Sequence, residues 1–195
     1  MQEGVHAVDW DNASAPMLKT APTIKHYISY DVECTSGTAD GTLFGCPAPG
    51  VDRFHFEASI PAADFASYYA PVFGKPLSET KPASIMCSFN TVNGTPACSN
   101  SMMLTTLARG TYGFDGFVVT DCGGVDFLNQ GHYLTKSPAS AVAAAIKSGC
   151  ETECGIPGPW GQCAIQCASH TLVIYSERAC VEDTAGVHFT CTPTA

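Results

Sequence analysis

The stretch Phe117-Val118-Val119-Thr120-Asp121-Cys122-Gly123-Gly124 decides the fold. Aromatic and β-branched residues in an unbroken run read as a strand. It stops on a carboxylate followed by small residues. Upstream, Ser84 to Phe89 (SIMCSF) is a second short apolar run, consistent with a strand buried on both faces. Between them Asn100 opens MMLTTLARG, read as a helix with Gly110 at its C-terminal end. Downstream, Ser137-Pro138 starts AVAAAIK, with Pro in the first turn and Gly149 as its stop. Further upstream Phe65, Tyr68, Tyr69 and Phe73 recur at helical spacing behind Ser59, the expected cap, and Pro61. Thr23 to Ser29 (TIKHYIS) reads as the first strand. Strands and helices thus alternate, the pattern of an α/β protein with a parallel sheet.

Composition narrows the function classes. Nine Lys and Arg stand against 18 Asp and Glu, a net charge of −9. The basic residues are scattered singly, which argues against a nucleic-acid partner. With 45% hydrophobic and 14% charged residues the chain has the material for a core. No apolar run approaches the ~18 residues of a membrane helix, so no membrane partner is expected. The opening MQEGVHAVDW has neither a basic nor an apolar signal-peptide region. Eleven cysteines nevertheless suggest an oxidising compartment, so two readings stand, a piece of a larger secreted protein or a reducing-compartment protein with free thiols. The odd number leaves at least one thiol unpaired within the chain. Residues 34–50 have the Gly/Pro composition of a loop. Asn12-Ala13-Ser14 and Asn93-Gly94-Thr95 are glycosylation sequons of little diagnostic weight. After Gly155 helical periodicity ends, and residues 156–195 read as an irregular Cys-rich tail apart from a possible strand, Thr171 to Tyr175.

In parallel α/β architectures functional side chains come from the C-terminal ends of strands. Asp121 is the sharpest candidate there. Lys25-His26 form a polar pair in an apolar strand and should point to opposite faces unless the backbone is bulged. Glu151 and Glu153 would share a strand face, where a solvated edge competes with acid/base work. Ser78-Glu79-Thr80-Lys81 matches a Ser-x-x-Lys pattern without its companion motifs. Cys150, Cys154, Cys163 and Cys167, followed by His170 and His188, have spacings that suit a structural zinc site poorly, so no metal is expected. No dinucleotide fingerprint or phosphate loop is present, and no cofactor is expected.

Five words follow one another between residues 17 and 155: MLKTAPTIKHYISYDVE, VDRFHFEASIPAADFASYYAPVF, ASIMCSFNTVNGTPACSN, YGFDGFVVTDCGGVDFL and KSGCETECG. Together they resemble the N-terminal catalytic domain of glycoside hydrolase family 3, in its β-xylosidase/β-glucosidase branch. The resemblance implies part of a (β/α)8 TIM barrel over residues 1–155, matching the later strands only, with 156–195 as a divergent tail. It implies removal of terminal β-linked sugars with retention of configuration. It makes Asp121 the nucleophile, puts Lys25 and His26 on sugar hydroxyls, and places Met86 and Phe89 in the pocket lining. Retention requires a second carboxyl group ~5–5.5 Å from the first, to protonate the departing oxygen.

The departures from the family pattern are also informative. A (β/α)8 barrel takes roughly 250 residues, more than are present. The earlier barrel strands and the following α/β domain, which carries the general acid, have no counterpart. A missing C-terminal domain or another chain would have to supply that acid. Phe89 stands where the family has Tyr, removing a hydroxyl near the nucleophile. The alternative to an enzyme is a non-catalytic remnant that binds sugar or serves as a partner fragment. The family's members are largely secreted, which implies an extracellular location. An incomplete barrel exposes sheet edges and apolar faces, so the isolated chain is expected to be poorly stable or to aggregate.

Overall fold

The computed structural model describes residues 21–34, 46 and 51–154, and the backbone of 180–182 and 189–191. The sequon at Asn12, the interior of the 34–50 loop, the expected strand at 171–175, and Cys163, Cys167, His170 and His188 lie outside the described residues.

Three strands form a parallel sheet in sequence order: β1 (Thr23–Tyr27), β3 (Ser84–Cys87) and β6 (Phe117–Thr120). Ile85 pairs with both Ile24 and Val118, and Cys87 pairs with Thr120. Beyond β6 a parallel bridge joins Val119 to Thr152, so the segment after the last helix returns alongside. A second, small sheet comprises β2 (Glu57–Ala58), β4 (Thr91–Val92) and β5 (Thr95–Pro96). Asn93 and Gly94 close its hairpin with φ of 49° and 82°, the left-handed pair of a type I′ turn. Asn93 of that sequon binds the Ile60 backbone through both side-chain atoms.

Helix α1 spans residues 62–80, with π-winding over Phe65–Tyr69 and regular α-helix over Ala70–Thr80. Its N-cap is Pro61, not Ser59, whose hydroxyl instead faces Glu57. Phe73 is buried and Tyr68 is exposed, so only part of the aromatic stripe is core. Helix α2 (Met102–Thr111) is wound with i→i+5 spacing. Asn100 opens it as expected: its Oδ1 accepts from Met103 N at 3.2 Å. Gly110 lies inside the helix. The left-handed residue that ends the turn is Gly113, at φ 67°, because π-winding carries the last N–H to Tyr112.

Helix α3 (Gly124–Gln130) was not foreseen from the sequence. Helix α4 (Pro138–Lys147) carries the expected Pro, a Ser137/Ser140 capping box and Gly149 beyond its end. In the tail, β7 (Cys180–Glu182) and β8 (Phe189–Cys191) pair antiparallel, so that part is not irregular.

The four described helices supply one side of the core. Leu77, Met103, Leu104, Val125, Leu128 and Ala145 pack with Ile85, Cys87 and Val118 of the sheet. Each of the Leu, Ile, Val and Met side chains among them contributes about 1.5–3 kcal/mol through burial. The opposite sheet face carries Met86 and Val119, half-buried, and Phe117, 43% exposed. Disulfides join Cys34–Cys46, Cys87–Cys98 and Cys122–Cys154. Cys150 is a free, buried thiol whose pKa burial pushes up to about 12.

Candidate active site

Asp121 follows β6 directly, on the same side of the pleat as Phe117 and Val119. Its backbone N–H donates to Cys87 O at 2.9 Å, which ties the strand tip to β3. The carboxylate oxygens differ. Oδ1 accepts from Cys122 N at 2.9 Å, whereas Oδ2 is buried without a hydrogen bond. Around Oδ2 stand His26 Nε2 at 3.4 Å and the Arg53 guanidinium at 3.7 Å.

His26 reaches the site because β1 is bulged. Ile24 pairs with Ile85 and Tyr27 with Cys87, so three steps on β1 face two on β3. Lys25 and His26 therefore line one groove, instead of pointing to opposite faces. That groove, about 400 Å³, also takes in Ser29, Tyr30 and Tyr69. Burial lowers the His26 pKa, and Asp121 opposes this in part. Burial raises the pKa of Tyr30, which keeps its phenol protonated.

Arg53 is the residue that sequence reasoning missed. Its N–H donates to Cys34 O at 2.8 Å, and the neighbouring Asp52 accepts from Phe54 N and His55 N at 2.9 and 3.0 Å. This fixed turn sends the guanidinium between Glu33, at 2.8 Å, and Asp121. The guanidinium also lies 5.1, 5.4 and 5.7 Å from the ring centroids of Phe89, Phe54 and Tyr30. The available signal was a lone Arg set among aromatics in VDRFHF.

Of the other expected site residues, Phe89 is brought in as a wall. It is buried, packs on Phe54 and Phe127, and offers its face to Arg53. Met86 lies half-buried on β3 opposite Val119. Glu151 and Glu153 differ: the Glu151 side chain stays 38% exposed in an ion pair, whereas Glu153 is turned onto backbone. Glu151 accepts from Arg109 at 2.7 Å and Val118 N at 2.8 Å, and Glu153 accepts from Gly123 N and Val125 N. Cys154 is bonded to Cys122 and is thereby unavailable as a zinc ligand. Two described carboxylates stand by the site: Glu33, 56% exposed and engaged by Arg53, and Asp31, which lines the groove and accepts from the Tyr69 hydroxyl. The arrangement is a sheltered carboxylate with one oxygen held by backbone and the other free, beside a cation and a neutral imidazole.

A buried carboxylate at the C-terminal tip of a parallel strand, in an α/β fold, defines the chain as a candidate enzyme of the α/β class with its site at the strand ends. Comparison with known proteins makes the assignment. Residues 3–160 match the model of the glycosyl hydrolase family 3 N terminal domain. Beta-D-xylosidase 1 of Arabidopsis thaliana is 39% identical over 144 residues, which is 73% of this chain and 17% of that protein. Beta-xylosidase/alpha-L-arabinofuranosidase 2 of Medicago sativa subsp. varia is 34% identical over 145 residues, 74% of this chain and 17% of that protein. Among solved structures, a family 3 exo-β-xylosidase (XlnD) in complex with a xylobiose aziridine activity based probe is 34% identical. It superposes with TM-score 0.60 over 71% of this chain and 16% of that one. A β-glucosidase from Erythrobacter marinus, 22% identical at TM-score 0.58, shares the fold. The chain belongs to glycoside hydrolase family 3. It spans about a sixth of the length of the relatives it matches.

Proposed function

We propose that residues 1–155 are the later β/α units of a (β/α)8 barrel, from a glycosidase that removes terminal β-linked xylosyl or glucosyl units with retention. Residues 156–195 are a separate tail. The consecutive order β1-β3-β6, extended by the bridge to Thr152, supports the barrel reading. The observation that carries the chemistry is the free, buried Oδ2 of Asp121, flanked by His26 and Arg53. Asp121 attacks the anomeric carbon through that oxygen. Lys25 and His26 hold sugar hydroxyls, while Met86 and Phe89 line the pocket. The second carboxyl group comes from outside these residues, from a further domain or another chain. No cofactor or metal takes part, and the partner is a carbohydrate. Three disulfides among the described residues favour an extracellular location.

The test uses a 2-deoxy-2-fluoro-xyloside with a dinitrophenolate leaving group, which departs without an acid. Asp121 Oδ2 forms the bond to C1 while the C1–aryl oxygen bond breaks, and the phenolate leaves with the electron pair. The expected result is one glycosyl adduct by intact mass, mapped to Asp121 and abolished in Asp121→Asn. A folded sample without adduct points to the second reading, a non-catalytic remnant. That reading draws on the described carboxylates beside the site being engaged already, Glu33 by Arg53 and Asp31 by Tyr69.

A further inference from the structure

We propose that Glu153, joined by the Cys122–Cys154 bridge, is the positioning residue of the nucleophile, a role that rests on the reading of Asp121 above. Its carboxylate spans the turn after Asp121: Oε1 accepts from Gly123 N at 2.8 Å and Oε2 from Val125 N at 2.9 Å. The same turn is fastened at three more points. Gly123 N also donates to Cys154 O at 2.9 Å, Cys154 N to Thr120 Oγ1 at 3.2 Å, and Thr120 N to Thr152 O at 2.9 Å. Cys122, the residue covalently bridged to Cys154, donates the N–H that holds Asp121 Oδ1 at 2.9 Å. Segment 152–154 therefore grips the backbone on both sides of Asp121, and leaves Oδ2 as the free oxygen.

A carboxylate in this position is costly. Burial raises its pKa, opposed by the two N–H donors, and Asp126 adds a like charge nearby. A side chain that served solubility would not sit so. The two-oxygen bridge needs a carboxylate, because a carboxamide presents one acceptor and turns an NH2 toward the other N–H. Displacing a reacting group by about 1 Å costs on the order of a hundredfold in rate, so a clamp on the turn acts on the step without touching the sugar.

The experiment follows two readouts on the full chain carrying E153Q, E153D or the pair C122S/C154S. The first is amide exchange over residues 121–126. We expect exchange about tenfold faster in E153Q, with β1 and α4 unchanged. The second is labelling by the 2-fluoro-xyloside, resolved into maximal rate and concentration dependence. The maximal rate should fall about tenfold in E153Q, lie in between for E153D, and leave half-saturation within about twofold. Unchanged exchange at 121–126 in E153Q overturns the proposal. So does altered exchange with an unchanged labelling rate, or a loss confined to half-saturation. If E153Q does not fold, C122S/C154S removes the covalent half of the clamp and must loosen the same segment. If even the wild-type chain is not labelled at Asp121, the glycosidase reading fails, and exchange alone decides whether Glu153 holds the turn.

Discussion

Asp121 owes its chemistry to the difference between its two oxygens. Backbone N–H saturates Oδ1, and the surroundings of Oδ2 are electrostatic: an imidazole at 3.4 Å and a guanidinium at 3.7 Å. His26 can report on this balance. Its pKa is lowered first by burial, raised by Asp121 and lowered again by Lys25 and Arg53. Asp121→Asn should therefore lower it further, and Arg53→Gln should raise it, as read by NMR titration of the His26 ring. Shifts of the same sign in both variants would mean that His26 does not sense the pair. His132 is also lowered by burial, despite its bond to Phe89 O. Both rings bind protons less readily in the fold than in the open chain. Their contribution is intact above the ordinary value of 6.5 and is lost as pH falls through that range. Asp121 was legible as a carboxylate at a strand end, whereas Lys25 and His26 took their role from the family resemblance, because a polar pair in an apolar strand reads equally as one exposed and one core residue. Arg53 was not legible, since a disulfide loop and the Asp52 turn bring it across from sequence far outside the strands.

At the scale of elements, legibility followed length and strength of local signal. Helix α4 carries Ser137, Pro138 and Gly149 at both ends and was read to within its caps. Helix α3 has seven residues and opens at glycine without a side-chain cap, and β2, β4 and β5 have two residues each. Such pieces form because their neighbours fix them, so no periodicity announces them. The end of α2 was misplaced because π-winding delays it past Gly110. A further constraint, invisible in sequence, lies just before β6. A Cβ on Gly116 would sit 2.2 Å from Ala83 O and 2.8 Å from Phe114 Cε2. The first contact is with backbone at the entry of β3, where little can yield. Gly116→Ala should cost about 1–3 kcal/mol by the measure of overpacked sites, and Ser137→Ala about 1 kcal/mol through the lost cap. Thermal melts of both variants check the order, and a Gly116→Ala melt at the wild-type temperature would mean the strands part without cost.

On the scale of the whole molecule, the helices gather on one sheet face and leave the other with half-buried and exposed apolar side chains. Met86 and Val119 lie in its middle, and Phe117 is 43% exposed. In a closed barrel such a face would be filled by side chains from opposite strands. Among the described residues β1 is also an edge of its sheet, with one hydrogen-bonded neighbour. An open edge beside an apolar face favours association of like chains. The net charge of −9 opposes contact at long range and is screened by salt within about 8–10 Å. Association should therefore grow with protein concentration and with ionic strength. Phe117→Lys puts a charge on the face at a position that contributes little to the core. It is expected to shift sedimentation toward monomer without lowering the melting temperature. A wild-type chain that sediments as a monomer at high concentration and high salt would show that the face is closed by residues of the chain itself. The large buried side chains of the described helices, Phe73, Leu77, Met103, Leu104, Val125, Leu128 and Val142, share one core with Ile85 and Val118, whereas Met86 and Val119 are not part of it.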